Sequence, residues 1–187
     1  HVLFRKALVY GINRELILKQ MILGGTELAG CQVLSGPFPA GFSQDDPLGY
    51  AYHPQIKPLP YHQAMARILS AVAVKSVTDH AVKSNIPVPE LTPLVLAHAD
   101  SEMARLACQV IADQLKTIEI PCELRPLPPG GSRLEDDIDL LYTEWSITEP
   151  VVDVGQIFGD GGLVKTSSAY LKHTVRQLNQ ISNWVEA

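Results

Sequence analysis

With 187 residues, 46% of them hydrophobic, and a mean hydropathy of +0.07, the chain carries enough apolar content to bury an ordinary core, which excludes disorder as its main state. The net charge is −5 with His neutral, and the charged residues, 19% of the chain, form no Lys/Arg cluster, so nucleic-acid backbones and anionic membrane surfaces are excluded as partners. No apolar run reaches the roughly 18 residues of a membrane-spanning helix. Cys31, Cys108 and Cys122 are too few and too scattered for a disulfide framework or a CxxC metal set; they read as small buried hydrophobes, with one disulfide and a spare thiol as the open alternative.

The first residue, His1, is already in helical phase, and Phe4, Ala7, Leu8, Gly11 and Ile12 fall near one face. Asn13 is a helix N-cap type, so residues 3–11 and 14–23 are predicted as two helices, the second stopped by Gly24 and Gly25. From Gly24 to Pro60 the chain holds six Gly and six Pro with no sustained period, which predicts a long irregular segment. Phe38, Phe42, Tyr50, Tyr52 and Tyr61 lie in or beside it, and Phe38 and Phe42 are expected to be partly buried.

A third helix is predicted from Tyr61 to Val72, with Ala64, Met65, Ile68, Leu69 and Val72 as its apolar face. Residues 75–85 read equally as helix continuation or strand. A buried strand from Leu94 to Ala97, Asp100 as cap, a helix from about Ser101 to Ile118, and a strand from Cys122 to Leu127 make a βαβ unit, whose two strands must run parallel. A third strand is predicted from Ile138 to Thr143, apolar on both faces. Residues 148–162 read as turn-rich, and a last helix runs from about Ser168, with Leu171, Val175, Leu178 and Ile181 at helical spacing. That helix meets no stop signal before Ala187, and both chain ends read as cuts from a longer polypeptide. The order of elements implies an α/β layered domain, taken as a single unit over 1–187.

Catalytic and cofactor fingerprints fail: there is no GxGxxG after a strand, GDGGLVKT lacks the Gly-Lys of a phosphate loop, no GxSxG elbow occurs, and the six His form no metal-binding pair. The expectation is therefore a protein without catalysis, cofactor or metal. The acidic run Glu135, Asp136, Asp137 and Asp139 reads as a solvated surface. Ligands of open α/β sheets lie at the carboxyl ends of the strands. His98 ends the first strand there, and Tyr142, Glu144 and Trp145 gather at the end of the third, offering flat amphipathic rings and an anion for an organic solute.

Three stretches, in this order, carry a resemblance: FRKALVYGINRELILKQMILGG, LPYHQAMARIL, and LTPLVLAHADSEMARLACQVIADQLKTIEIPCELRPL, with SGPFP before the second and EWSITEP after the third strand. Together they resemble the bacterial extracytoplasmic solute-binding proteins of the peptide, oligopeptide and nickel type (extracellular solute-binding protein family 5), which serve ABC importers. His62 and Gln63 stand where that family has Asp-Pro, and Glu119 where it has Gly. The segment matching EWSITEP often holds an Asp in peptide binders, for the peptide amino group; Glu144 and Glu149 are the acidic residues in its place.

The resemblance implies one lobe of a periplasmic-binding-protein-like (type II) fold, with a mixed sheet containing the parallel βαβ unit flanked by helices. Such a lobe closes with a second one on a peptide-like or other small organic solute, and the closed form is presented to an ABC permease. It further implies a monomer in a periplasmic or extracytoplasmic location, with Tyr142, Glu144, Trp145, His98 and Glu149 on the ligand side. Two other readings stay open: a ligand-sensing domain of a regulatory protein built on the same lobe, and a small α/β hydrolase.

Overall fold

The computed structural model describes residues 1–41, 45–128, 137–164 and 168–181. They divide into two compact units, His1–Val33 with Pro58–Thr143, and Leu34–Lys57 with Glu144–Ala187.

The first unit is an α/β layer. Helix α1 spans Val2–Gly11, and Asn13, as the sequence predicts, caps the next helix, its side chain accepting from the Leu16 amide at 3.0 Å. That helix, α2 (Arg14–Leu16), widens into a π-helical stretch over Ile17–Ile22 before Gly24 and Gly25, both at positive φ, end it. The Asn13 amide also donates to Gln114 Oε1 at 2.8 Å, fixing the corner between α1 and α2 to a distant helix.

Helix α3 runs over Gln63–Lys83, so the ambiguous residues 75–83 continue the helix. His62 caps it: Nδ1 accepts from the Met65 amide at 3.2 Å. Of the predicted apolar face only Leu69 packs against the core. Ala66, Ser70, Ala73 and Ala81 are buried, while Met65, Ile68 and Val72 are exposed. The reason is close approach: a Cβ on Gly11 of α1 would lie 3.6 Å from the Ala66 Cβ, so the two helices meet through small residues.

Strand β1 (Leu94–His98), helix α4 (Glu102–Lys116) and strand β2 (Cys122–Pro126) form the predicted βαβ unit, with β1 and β2 parallel and Leu94 opposite Cys122. Ser101, rather than Asp100, is the cap of α4, because its hydroxyl accepts from the Ala104 amide at 3.1 Å while Asp100 stays exposed. The third strand is shorter than predicted, β3 covering Leu140–Tyr142, because β1 ends at His98 and offers no backbone beyond Tyr142. It pairs parallel to β1, giving the order β2-β1-β3. Among the described residues the sheet is therefore parallel throughout, where a mixed sheet is expected.

Asp139 explains how β3 enters. Its Oδ2 accepts from the Val95 amide at 2.9 Å and its own amide donates to the Val95 carbonyl at 3.1 Å, so this exposed residue extends the ladder by one position. Asp137 pairs with Arg125 and, like Asp139, is exposed, as the solvated reading expects; Glu135 and Asp136 lie outside the described residues. Leu96 and the buried residues Ala107, Cys108, Ile111 and Leu115 of α4 share a core with Ala7 and Leu8 of α1, while Ala97, Leu127 and Ile138 form a smaller cluster. Strand alternation puts these two clusters on opposite faces of the sheet.

Helix α4 ends in a Schellman motif. The Ile120 amide donates to the Leu115 carbonyl at 3.0 Å, the Glu119 amide to the Lys116 carbonyl at 3.1 Å, and Glu119 takes φ 64°. Leu115 and Ile120, both fully buried, make the hydrophobic contact that accompanies the motif. Asn85 plays the same part after α3 at φ 52°, a position asparagine tolerates.

In the second unit the segment from Leu34 to Lys57 is irregular apart from a 3-10 turn over Gly49–Ala51, with Phe38 half-buried; Phe42 lies outside the described residues. Residues 148–162, predicted as turns, contain helix α5 (Pro150–Phe158). Pro150 at its first turn presets the backbone, and the buried Asp153 folds back to accept from the Thr148 and Glu149 amides at 2.8 and 2.9 Å. Gly155 lets Asn179 approach, since a Cβ there would meet Asn179 Oδ1 at 3.2 Å. Helix α6 (Ala169–Leu178) starts where the last helix is predicted, is capped by Ser168, and buries Val175.

The strained left-handed residue yields a direct test. Glu119→Gly should leave the chain as stable as before or more so, while Glu119→Val should cost about 1–2 kcal/mol through a β-branched Cβ at positive φ, both read from urea unfolding midpoints.

Candidate functional site

The order β2-β1-β3 has its switch point between β1 and β3, where ligands of doubly wound sheets lie beyond the carboxyl ends of the strands. Two of the sequence-predicted site residues stand there side by side, His98 and Tyr142 being partners in the parallel register. By alternation His98 shares the face of Leu94 and Leu96, the face that packs on α1 and α4 and that also holds Tyr142. His98 is 3% exposed and Tyr142 half-buried.

The loop from β1 to α4 is tied at several points. The His98 carbonyl accepts from the Leu127 amide at 2.8 Å, and the Ala99 carbonyl accepts twice, from the Ser101 amide and from His98 Nδ1, each at 2.8 Å. A carbonyl only accepts, so Nδ1 carries a proton, and in the neutral ring Nε2 is the acceptor nitrogen. The strand end thus presents a fixed imidazole beside a phenol ring, able to bind and orient a solute through an acceptor nitrogen and an aromatic surface.

The remaining predicted residues belong to the second unit. Glu144 and Trp145 lie past the end of β3, both exposed, Trp145 at 41%, so this ring is not part of a core. Glu149 is the N-cap residue of α5 and is already engaged: its Oε1 accepts from the Tyr50 hydroxyl, and that hydroxyl accepts in turn from the Val151 amide at 3.1 Å. Burial first, then the hydrogen bond to Glu149, raises the Tyr50 phenol above its ordinary value, so it stays protonated and donating. Glu149 therefore fastens the irregular segment to α5. Tyr50 and Asp153, the residues that organise this corner, were beyond local sequence reading, because Tyr50 lies 99 residues from Glu149.

The cysteines separate into two kinds. Burial pushes the Cys108 thiol up to about 12, and burial with the Asp139 carboxylate pushes Cys122 up to about 11. Cys31 is exposed, which corrects its reading as a buried hydrophobe: it lies in the irregular segment and packs on nothing that would cover it. Among the described residues no group of three or more His, Cys, Asp or Glu is placed to hold a metal ion, and no helix is long and apolar enough to cross a membrane.

No protein-family model matches the sequence, and no curated protein matches it; the resemblance given above rests on the residues quoted for it.

Two predictions follow from these side chains. Asp153→Ala leaves the Thr148 and Glu149 amides without their acceptor and should cost roughly 1–3 kcal/mol in the second unit, read as faster hydrogen exchange along α5. A thiol reagent near neutral pH should modify Cys31 in the native chain and reach Cys108 only on unfolding. Because the native thiols are raised above their ordinary value of 9.0, the stability they contribute is complete below pH 9 and falls as pH rises toward about 11 to 12, where they ionise in the folded state as well.

Proposed function

We propose that the chain is a solute-binding lobe of an extracytoplasmic binding protein that serves an ABC importer, with a type II periplasmic-binding-protein-like architecture and no catalytic step. One observation carries the reading: the three stretches that resemble the solute-binding family, residues 4–25, 59–69 and 91–127, are discontinuous in sequence yet fall together in the first compact unit. There they supply α1, the start of α3, and the whole β1-α4-β2 unit. The parallel β2-β1-β3 order and its switch point suit binding at the strand ends.

The proposed ligand is a peptide-like or other small organic solute, and the proposed partner is the membrane permease, met by the closed two-lobed protein, a monomer outside the cytoplasm. His98 and Tyr142 are the proposed contacts at the sheet edge. Trp145 and Glu144, exposed in the second unit, are proposed separately as solute contacts of that unit, and each is tested singly. Glu149, held by Tyr50, is the least available of the predicted set.

The experiment is a thermal-shift panel of amino acids, short peptides, amines and sugars, followed by calorimetry on any solute that raises the melting temperature. A saturating solute whose affinity drops about tenfold in Trp145→Ala, with the ligand-free melting temperature unchanged, is the expected result. A panel without any stabilising solute would count against import or sensing alike, and turnover of a panel member would revive the hydrolytic reading.

A further inference from the structure

His98 has a nitrogen with nothing on it. Its ring is fixed by the Nδ1–H bond to the Ala99 carbonyl, and among the described residues no other group bonds to it. Among those residues, too, no fully buried side-chain nitrogen or oxygen lacks a partner. Nε2 has none, so it must reach the accessible surface although the residue as a whole is only 3% exposed. A histidine buried this deeply, with one nitrogen locked and the other reaching the surface, offers in its neutral form one hydrogen-bond acceptor of fixed position.

Its surroundings narrow what that acceptor takes. Nδ1 is committed as donor, so the neutral ring offers a carboxylate no second N–H. The residues that follow at the strand end are Ala99, Asp100, Ser101 and Glu102, and Asp100 and Glu102 are exposed carboxylates that favour a cation. Tyr142 stands beside His98 in register on the same face and adds a half-buried aromatic ring.

We infer that His98 Nε2 accepts a hydrogen bond from an N–H group of the bound solute, an amine or an amide, with the Tyr142 ring beside it. The assignment rests on the solute-binding reading above and specifies the ligand class: molecules with an N–H donor next to an apolar or aromatic group are taken, and simple carboxylates are not.

Nitrogen NMR of the histidine-labelled chain at about pH 8 tests it, with benzylamine and N-methylbenzamide as donor probes and benzoate as the anionic control. In the free chain the His98 signal should show Nδ1 protonated and Nε2 bare. Both donor probes should move the Nε2 resonance saturably, and benzoate should not. His98→Phe should weaken donor binding about tenfold or more, and His98→Gln, whose side-chain carbonyl is again an acceptor, should recover part of it. Should His98→Phe fail to fold, the Gln variant and the native titration decide.

A protonated Nε2 in the free chain, equal binding of benzoate, unmoved resonances with every donor, or native affinity in both variants would overturn the assignment. The two readings fail separately. A panel solute that binds while Nε2 stays unmoved removes the role of His98 and leaves solute binding intact. Donor probes that move Nε2 in a chain that no panel solute stabilises would leave the acceptor and remove the import reading.

Discussion

Strand β1 is the constraint on which the first unit depends. It pairs on both sides, with β2 along Leu94–His98 and with β3 along Leu96–His98, and its last three residues are all buried. A strand so enclosed must satisfy every backbone group through its neighbours and cannot shift register without moving Leu96 off one core and Ala97 off the other. This makes His98 a fixed point: its position follows from the ladder, and its ring orientation from the carbonyl one residue further on. A side chain set in this way needs no ordering before it can meet another molecule, which is where much of the cost of association otherwise arises.

Helix α4 transmits that constraint outward. Its buried residues sit on β1 and on α1, its C-terminal motif places Ile118 and Ile120 in the same core, and Gln114 holds the corner at Asn13. The Arg67–Glu119 pair, 2.9 Å long and exposed, joins α3 to this end of α4 but contributes little, as surface ion pairs do. Small residues work beside the large ones, Leu115, Ile118 and Ile120, that fill the core. Ala7, Gly11, Ala66, Ala73, Ala104 and Ala107 are all buried, so the helices approach closely and gain stability from shape fit as well as from large side chains.

What could be read in advance was what neighbouring residues decide. Asn13, Ser168, the glycines after Leu23 and the run from Leu94 carry their own instructions, and the βαβ unit followed from length and period alone. At Glu119 the backbone is left-handed, a conformation that the residue type itself does not announce. Helix α5 was hidden because Thr148, Pro150 and the glycines at 155, 159, 161 and 162 all read as turn signals. The buried Asp153, turned back on two amides, outweighs them. The buried face of α3 was hidden because hydrophobic pattern favours Met65, Ile68 and Val72, whereas close packing selected alanines. For the candidate site, the strand-end pair His98 and Tyr142 was legible from topology. The engagement of Glu149 by Tyr50 depends on a contact no local pattern encodes, and neither does the division of the chain into two units.

The composition of β2 bears on what happens before and between folding events. It is an edge strand, and an unpaired row of amides and carbonyls is a template for the next chain that meets it. Here that row is interrupted: Pro121 precedes the strand, Pro126 ends it, Pro128 follows, and Glu123 and Arg125 alternate with its apolar residues. Each proline removes a donor and each charge resists stacking against a like neighbour, so the edge is a poor seed for intermolecular sheet. A chain held unfolded for any time at high local concentration is thereby guarded against aggregation by the same residues that close its sheet.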